Sequence, residues 1–303
     1  MLTKYGQKNA VWIDLVSPTP SEVRGLMQEF GIDPLIAEEL LTPSFKPKTE
    51  RRGDIIYVIL HLPILKGLGR RAEQEIDFVI GKNFLITTRY DNVDPLHAFA
   101  QAFEVNTVLN RPATHLNGGH LFTSMARALY EAMINECHTV SRRLQDIEDR
   151  IFRGDERQMV IELSQTGRII HDFRDALAPH REMLISIEAA ASRLFGPEFS
   201  YYLRDLEGAE ERVERTVDNL YTSLLELRET NNSLLSTKQN EVMKTLTVLA
   251  FIFFPLQFIA SIFGMNTLHN PIIGSPFDFW ILIAGMVAVA VACFVYFKRR
   301  GWL

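Results

Sequence analysis

The sequence predicts an α+β domain, then a long helical hairpin, then a stalk helix that runs into the first of two transmembrane helices. Three observations carry this reading. The N-terminal third alternates short apolar runs with turn residues. From Tyr202 to Phe263 there is no proline before Pro255 and one glycine, Gly208. Thr245 to Phe277 lacks Asp, Glu, Lys and Arg, and after Asp278 the stretch Phe279 to Phe297 is again free of charge.

The elements follow in order. Val11-Trp12-Ile13-Asp14-Leu15 reads as a strand. Thr19-Pro20-Ser21-Glu22 opens a helix, with Thr19 as N-cap, Pro20 at the first helical position and Glu22 closing a capping box. Val23, Leu26, Met27 and Phe30 follow at helical spacing, and Gly31 ends that helix. Asp33-Pro34 starts another. Ile55 to Leu62, Gln74 to Ile80 and Phe84 to Tyr90 read as strands, the last two joined by the hairpin signal Gly81-Lys82-Asn83. Residues 1–115 therefore form a small domain. Residues 116–200 are a helical hairpin: His120 to Arg153, a turn at Gly154-Asp155, then Glu156 to Phe195 with a bend at Pro179.

Residues 201–263 read as one helix. Leu206, Val213, Val217, Leu220, Leu224, Leu227 and Leu234 recur at mixed 3- and 4-residue steps, a packing seam. A helix of about 60 residues spans roughly 90 Å and cannot bury such a seam alone, so it docks on the hairpin or oligomerises. Its last part, Leu246 to Phe263, and the later run Phe277 to Phe297 are each near the ~20 residues that cross a bilayer. Residues 264–276 make the loop between them, 277–297 the second span, and 298–303 a basic tail.

The averages hide this partition. A net charge of −5, 47% hydrophobic residues and a mean hydropathy of +0.01 describe an ordinary acidic soluble protein. Yet residues 244–303 hold Lys244, Lys298, Arg299, Arg300 and one acid, Asp278, so the first 243 residues carry −8. The acidic balance disfavours nucleic acid as a partner. Two cysteines, Cys137 and Cys293, give no disulfide framework and indicate a reducing compartment. The polar start, Met1-Leu2-Thr3-Lys4, is not a signal peptide. Lys238 and Lys244 flank one end of the spans and Lys298-Arg299-Arg300 the other, while loop 264–276 has no Lys or Arg. By the positive-inside rule both termini are cytoplasmic. Trp280 and Trp302 sit where interfacial aromatics belong.

Two helices cannot enclose an aqueous path, so transport requires several copies around an axis. Asn240, Met243, Leu246, Phe254, Gln257 and Ser261 recur on one helical face. That face lines a pore, or it packs against neighbouring helices. No acid, His or Lys lies in the core of either span, which disfavours a proton relay. A path lined by amides, hydroxyls and apolar groups suits an ion that keeps its water, as Mg²⁺ does, and apolar rings gate such a path by dewetting.

These residues resemble the CorA family of magnesium transporters over essentially the whole chain. The likeness rests on Gly264-Met265-Asn266 between the two spans. It rests also on Asn240-Glu241-Val242-Met243-Lys244 leading in, on Phe254-Pro255-Leu256 and on the Tyr296-to-Leu303 end. Trp12-Ile13-Asp14-Leu15 and Ala178-Pro179-His180-Arg181-Glu182 are similar to the family as well. The resemblance implies a funnel-shaped homopentamer in the plasma (inner) membrane, with an α/β/α cytoplasmic domain. It implies a selectivity filter of Gly264, Met265 and Asn266, with Asn266 meeting the ion through its bound water. Asn240, Met243, Leu246 and Phe254 become pore rings, and Gln257 and Ser261 polar positions nearer the mouth. Mg²⁺ is the substrate and also a regulator, with no organic cofactor.

The chain departs from the family pattern in places. Phe263 stands where Tyr is usual, and Thr267-Leu268-His269-Asn270-Pro271-Ile272 lacks the usual loop acid. Loss of that acid weakens cation concentration at the mouth. Phe254 and Gln257 are bulkier than usual. In the family, interfacial carboxylates bind Mg²⁺ and hold the channel closed; Glu229 and Asp205 fall on such positions. Their expected partner loop reads Leu65-Lys66-Gly67, a cation, so a Lys66–Glu229 salt bridge is expected in place of a metal site. Relatives carrying Zn²⁺ usually have Gly-Val-Asn at the signature, which favours Mg²⁺ here over Zn²⁺, Co²⁺ or Ni²⁺. A membrane-anchored scaffold or sensor is the reading from another class. The eight histidines show no zinc spacing, and no catalytic triad or phosphate loop is present, so no enzyme is expected.

Overall fold

The computed structural model describes residues 1–7, 10–44, 46–66, 70–90, 94–108, 117–265 and 277–302; for 7, 64–66, 70–73, 94–95, 104–108 and 278 it gives the backbone alone. The chain divides into two units, Met1–Arg228 and Glu229–Leu303.

The first unit is built on six strands: β1 (Leu2–Gln7), β2 (Ala10–Val16), β3 (Lys48–Arg52), β4 (Ile55–Lys66), β5 (Arg70–Ile80) and β6 (Phe84–Arg89). Their order is β1-β2-β6-β5-β4-β3, antiparallel throughout except for the parallel seam β2–β6. That seam is pinned by the Trp12-Ile13-Asp14-Leu15 segment. Trp12 Nε1 donates to Thr87 Oγ1 at 3.0 Å, and Thr87 Oγ1 donates to Asp14 Oδ1 at 2.8 Å. Arg89 Nη2 donates to Asp14 Oδ2 at 2.8 Å. All four side chains are buried, so each polar group needs the partner it has.

On one face lie α1 (Pro20–Phe30) and α2 (Pro34–Glu39). Val23, Leu26, Ile36 and Ala37 pack there with Ile13, Leu15, Tyr57, Ile59, Val79 and Ile86 of the strands. The capping box expected of α1 is present, and Gly31 closes the helix with φ 66°. On the other face lie α3 (Asp94–Val108) and α4 (Gly118–Phe152). Phe99 and Phe103 meet Trp12 edge-on, and Phe122 of α4 meets Phe78 of β5. Helices on both faces make the unit α/β/α.

Gly118 is where α4 meets the hairpin. Its N–H donates to Lys82 O at 3.1 Å, and a Cβ there would overlap the carbonyl oxygens of Gly81 and Phe84. α5 (Glu156–Leu177) pairs with α4 across the Gly154 turn, and α6 (His180–Phe195) follows a break at Ala178-Pro179. The expected bend at Pro179 is thus a full helix boundary, as its missing N–H favours.

The last helix of the unit belongs to both units: α7 (Ser200–Phe263), 64 residues or about 96 Å. Within the first unit Leu203, Leu206, Ala209, Val213, Val217, Leu220, Leu224 and Leu227 are all buried. The seam therefore docks within the chain up to Leu227. Arg174 stacks 4.7 Å over the Tyr221 ring beside it.

Three elements carry no local signal in the sequence. β1 is the polar N-terminal stretch paired to β2, β3 is Lys48-Thr49-Glu50-Arg51-Arg52 at the sheet edge, and α3 lies in an unassigned stretch. β4 and β5 also run further than expected, to Lys66 and from Arg70.

The second unit holds the rest of α7 and α8 (Asp278–Arg299), both long and apolar enough to cross a membrane.

Candidate functional site

The unit's two helices touch near their basic end. Phe251 and Phe297 rings lie 5.9 Å apart, and Lys244 Nζ donates to Gly301 O at 2.8 Å. Val248 is 2% exposed, and Ile252, Pro255, Leu256, Ile259 and Phe263 are half-buried along the same stripe. At 3.6 residues per turn, Asn240, Met243, Leu246, Phe254, Gln257 and Ser261 fall on the opposite side. All six are exposed. The structure thus brings the six sequence-selected residues to one face, exposed among the described residues. Thr247 does not contribute its hydroxyl there, because Oγ1 donates to Met243 O at 2.7 Å.

The helix ends at the signature. Gly264 N–H donates to Ala260 O at 2.9 Å and Met265 N–H to Ile262 O at 3.3 Å. A Cβ at 264 would sit 3.2 Å from Ala260 O, tighter than normal contact. Met265 is exposed. Asn266, with loop 266–276, lies outside the described residues.

The expected regulatory acids are separated. Asp205 Oδ2 accepts from Arg127 Nη1 at 2.6 Å, in the first unit. Glu229 is six to seven turns further along α7, about 36 Å at 1.5 Å per residue. Leu65 and Lys66 are not in a loop: they are strand residues of β4, opposite Arg71 and Arg70. The expected loop placement of Leu65 and Lys66 is corrected there, because the β4–β5 ladder continues beyond Leu62, while Gly67 lies outside the described residues. Among the described residues no three His, Cys, Asp or Glu converge as a metal site.

Two buried polar sites have partners that the sequence does not reveal. Glu75 accepts from Ser44 N–H with both oxygens, at 2.8 and 2.7 Å, and lies 3.3 Å from His61 Nε2. Its neighbour Asp77 is fully buried, and burial with the Glu75 charge raises its carboxyl well above the usual range. Alternate carboxylates within an apolar strand were the available signal. His180 is the second: Nε2 donates to His61 O at 3.1 Å, and Nδ1 accepts from Tyr130 OH at 3.1 Å. Burial pushes its pKa down to about 4, so it is a neutral structural tie. Burial also pushes the Cys137 thiol up to about 12, leaving it unreactive.

An α/β/α unit shares one long helix with a unit whose two helices are long and apolar enough to cross a membrane. The profile of the CorA-like Mg²⁺ transporter protein family matches residues 7–299. The chain belongs to that family. It is 26% identical to the cobalt/magnesium transport protein CorA of Thermotoga maritima over 294 residues, covering 96% of this chain and 83% of that one. It is 24% identical to the protein of the same name from Methanocaldococcus jannaschii, covering 97% and 91%. The complete structure of the M. jannaschii CorA magnesium transporter superposes with a TM-score of 0.85 at 20% identity, covering 99% and 93%.

Proposed function

We propose that the protein is a passive Mg²⁺ channel of the plasma (inner) membrane, assembled as a homopentamer with both termini cytoplasmic. The single observation that carries this reading is the exposed face Asn240, Met243, Leu246, Phe254, Gln257 and Ser261, opposite the packed stripe of α7. Five copies of that face around an axis make a polar ring at Asn240, apolar rings at Met243, Leu246 and Phe254, and polar rings at Gln257 and Ser261. Asn266 rings the outer mouth just past Gly264 and Met265, and its amide hydrogen-bonds water held by the ion. Met243, Leu246 and Phe254 form the apolar gate. An inside-negative potential drives entry with about 4.6 kcal/mol per divalent ion per 100 mV. Glu229 and Asp205 take part in regulation between neighbouring copies, distributed over separate levels of α7.

Liposomes carrying the full chain and an entrapped Mg²⁺ dye test this. Mg²⁺ enters on imposing an inside-negative potential, and Asn266→Ala stops entry while the oligomer stays intact on size-exclusion chromatography. No entry with the unsubstituted chain overturns the channel reading and leaves a membrane-anchored scaffold. Because similar proteins bear the name cobalt/magnesium transport protein, Co²⁺ is a second cargo; competition with Co²⁺, Ni²⁺ and Zn²⁺ in the same vesicles orders the ions.

A further inference from the structure

The C-terminal end of α8 is built, not frayed. Gly301 adopts φ 69°, and its N–H donates to Lys298 O at 3.2 Å. Trp302 N–H donates to Phe297 O at 3.0 Å. These are the two bonds of a Schellman cap, and its usual apolar contact is present: the Trp302 and Phe297 rings lie 5.8 Å apart. The cap folds Trp302 back beside the helix. Between it and α7 remains a groove of 640 Å³, walled by Phe251, Ala292, Cys293, Phe297 and Trp302. Tyr296 and Arg300 complete the lining, with the Arg300 guanidinium 5.8 Å from the Tyr296 ring centre.

Cations gather at one end of this groove. Lys298, Arg299 and Arg300 are exposed at the negative end of the α8 dipole. Lys244 is fixed on the Gly301 carbonyl at 2.8 Å. Beyond Glu241 the chain's one side-chain carboxylate is Asp278, at the far end of α8, about 33 Å away. The groove is thus an apolar slot ending in cations, at the level where a span meets the interface.

We propose that this groove binds an anionic phospholipid of the leaflet on the basic side, its acyl chain against Ala292 and Phe297 and its phosphate on Arg300. Such leaflets are rich in anionic headgroups, and each nearby cation favours them. The proposal rests on the membrane reading above. It gives the folded-back tail a role, in which Trp302 closes the slot that Arg300 guards.

The test uses the full chain in vesicles, with Trp280→Phe as background. Trp12 is fully buried in the sheet, so the lipid-accessible tryptophan is Trp302. Phosphatidylglycerol or phosphatidylcholine with brominated chains is added at equal mole fraction, and quenching is read. Brominated phosphatidylglycerol is enriched at Trp302 by about fivefold over brominated phosphatidylcholine, and Arg300→Gln removes that preference. Ala292→Phe fills the slot with the charges kept, and lowers quenching by both lipids. Equal quenching by the two lipids means ordinary boundary lipid and overturns the proposal. Quenching by neither, in protein that floats with the vesicles, means a second copy of the chain covers the groove and overturns it too. Failure to float with the vesicles overturns the membrane reading itself.

Discussion

His180 at the start of α6 donates through Nε2 to the main-chain carbonyl of His61 in β4, 119 positions earlier, at 3.1 Å. Tyr130 of α4 closes the other ring nitrogen. One neutral imidazole therefore joins a strand and two helices. Its folded pKa of about 4 lies below the ordinary 6.5. The unfolded chain takes up the proton first as pH falls, so stability is full above pH 6.5 and is lost between 6.5 and 4. The loss amounts to roughly 3 kcal/mol. Thermal melts of the purified full chain show this slope, and in His180→Gln the slope is reduced by that amount. His180→Ala leaves the Tyr130 hydroxyl and the His61 carbonyl unpaired and costs about 2–4 kcal/mol.

Glu210 of α7 behaves in the opposite sense. It is 3% exposed, and burial, helped by Glu214, raises its pKa to about 7 against the pull of Arg181. The folded state holds a proton that the unfolded chain releases near pH 4.5. Stability from this group is therefore present at low pH and lost as pH rises from 4.5 through 7. Glu210→Gln keeps the neutral shape and gains about 1–2 kcal/mol at pH 8. The gain disappears by pH 4.5, which paired melts at the two pH values check.

Gly118 fixes α4 against the β5–β6 hairpin with no room for a methyl group. Gly118→Ala must part α4 from the Gly81 and Phe84 carbonyls, breaking the bond to Lys82 O. The cost is about 3 kcal/mol. A lower melting temperature with unchanged helix content by circular dichroism is the expected result, whereas Gly6→Ala, with nothing near its added Cβ, has little effect.

The sequence makes some of this plain and hides the rest for physical reasons. The capping box at Thr19, the αL stop at Gly31 and the uncharged spans are local chemistry, so they are readable locally. The exposed stripe from Asn240 to Ser261 is readable because α7 is unbroken across it, and 3.6-residue periodicity needs only a continuous helix. β3 is not: Lys48-Thr49-Glu50-Arg51-Arg52 is a charged edge strand held by Ile55 to Ile59, and its pattern matches a loop. Lys66 falls in a strand instead of the expected loop because a strand's end depends on its partner, here Arg70. The 178–182 segment stands out in the sequence, yet its role depends on a β4 carbonyl that no spacing rule reveals. The charged pair of Asp14 and Arg89 is likewise a product of the parallel seam, 75 residues apart.

The orientation of α7 is open to a direct experiment. In a Cys293→Ser background the remaining Cys137 is buried and its thiol suppressed. Cysteines at Leu246, Gln257 and Ser261 then stand on the exposed face, and cysteines at Val248 and Ile259 on the packed stripe. A cationic methanethiosulfonate does not enter hydrocarbon, so it reaches a thiol only through water. Mg²⁺ entry into liposomes is blocked by the reagent for the first three and unaffected for the last two. Block at Val248→Cys with none at Leu246→Cys would place the water path on the other side of α7. Phe254→Ala completes the set: on the proposed pore it removes the largest apolar ring, so resting Mg²⁺ entry rises.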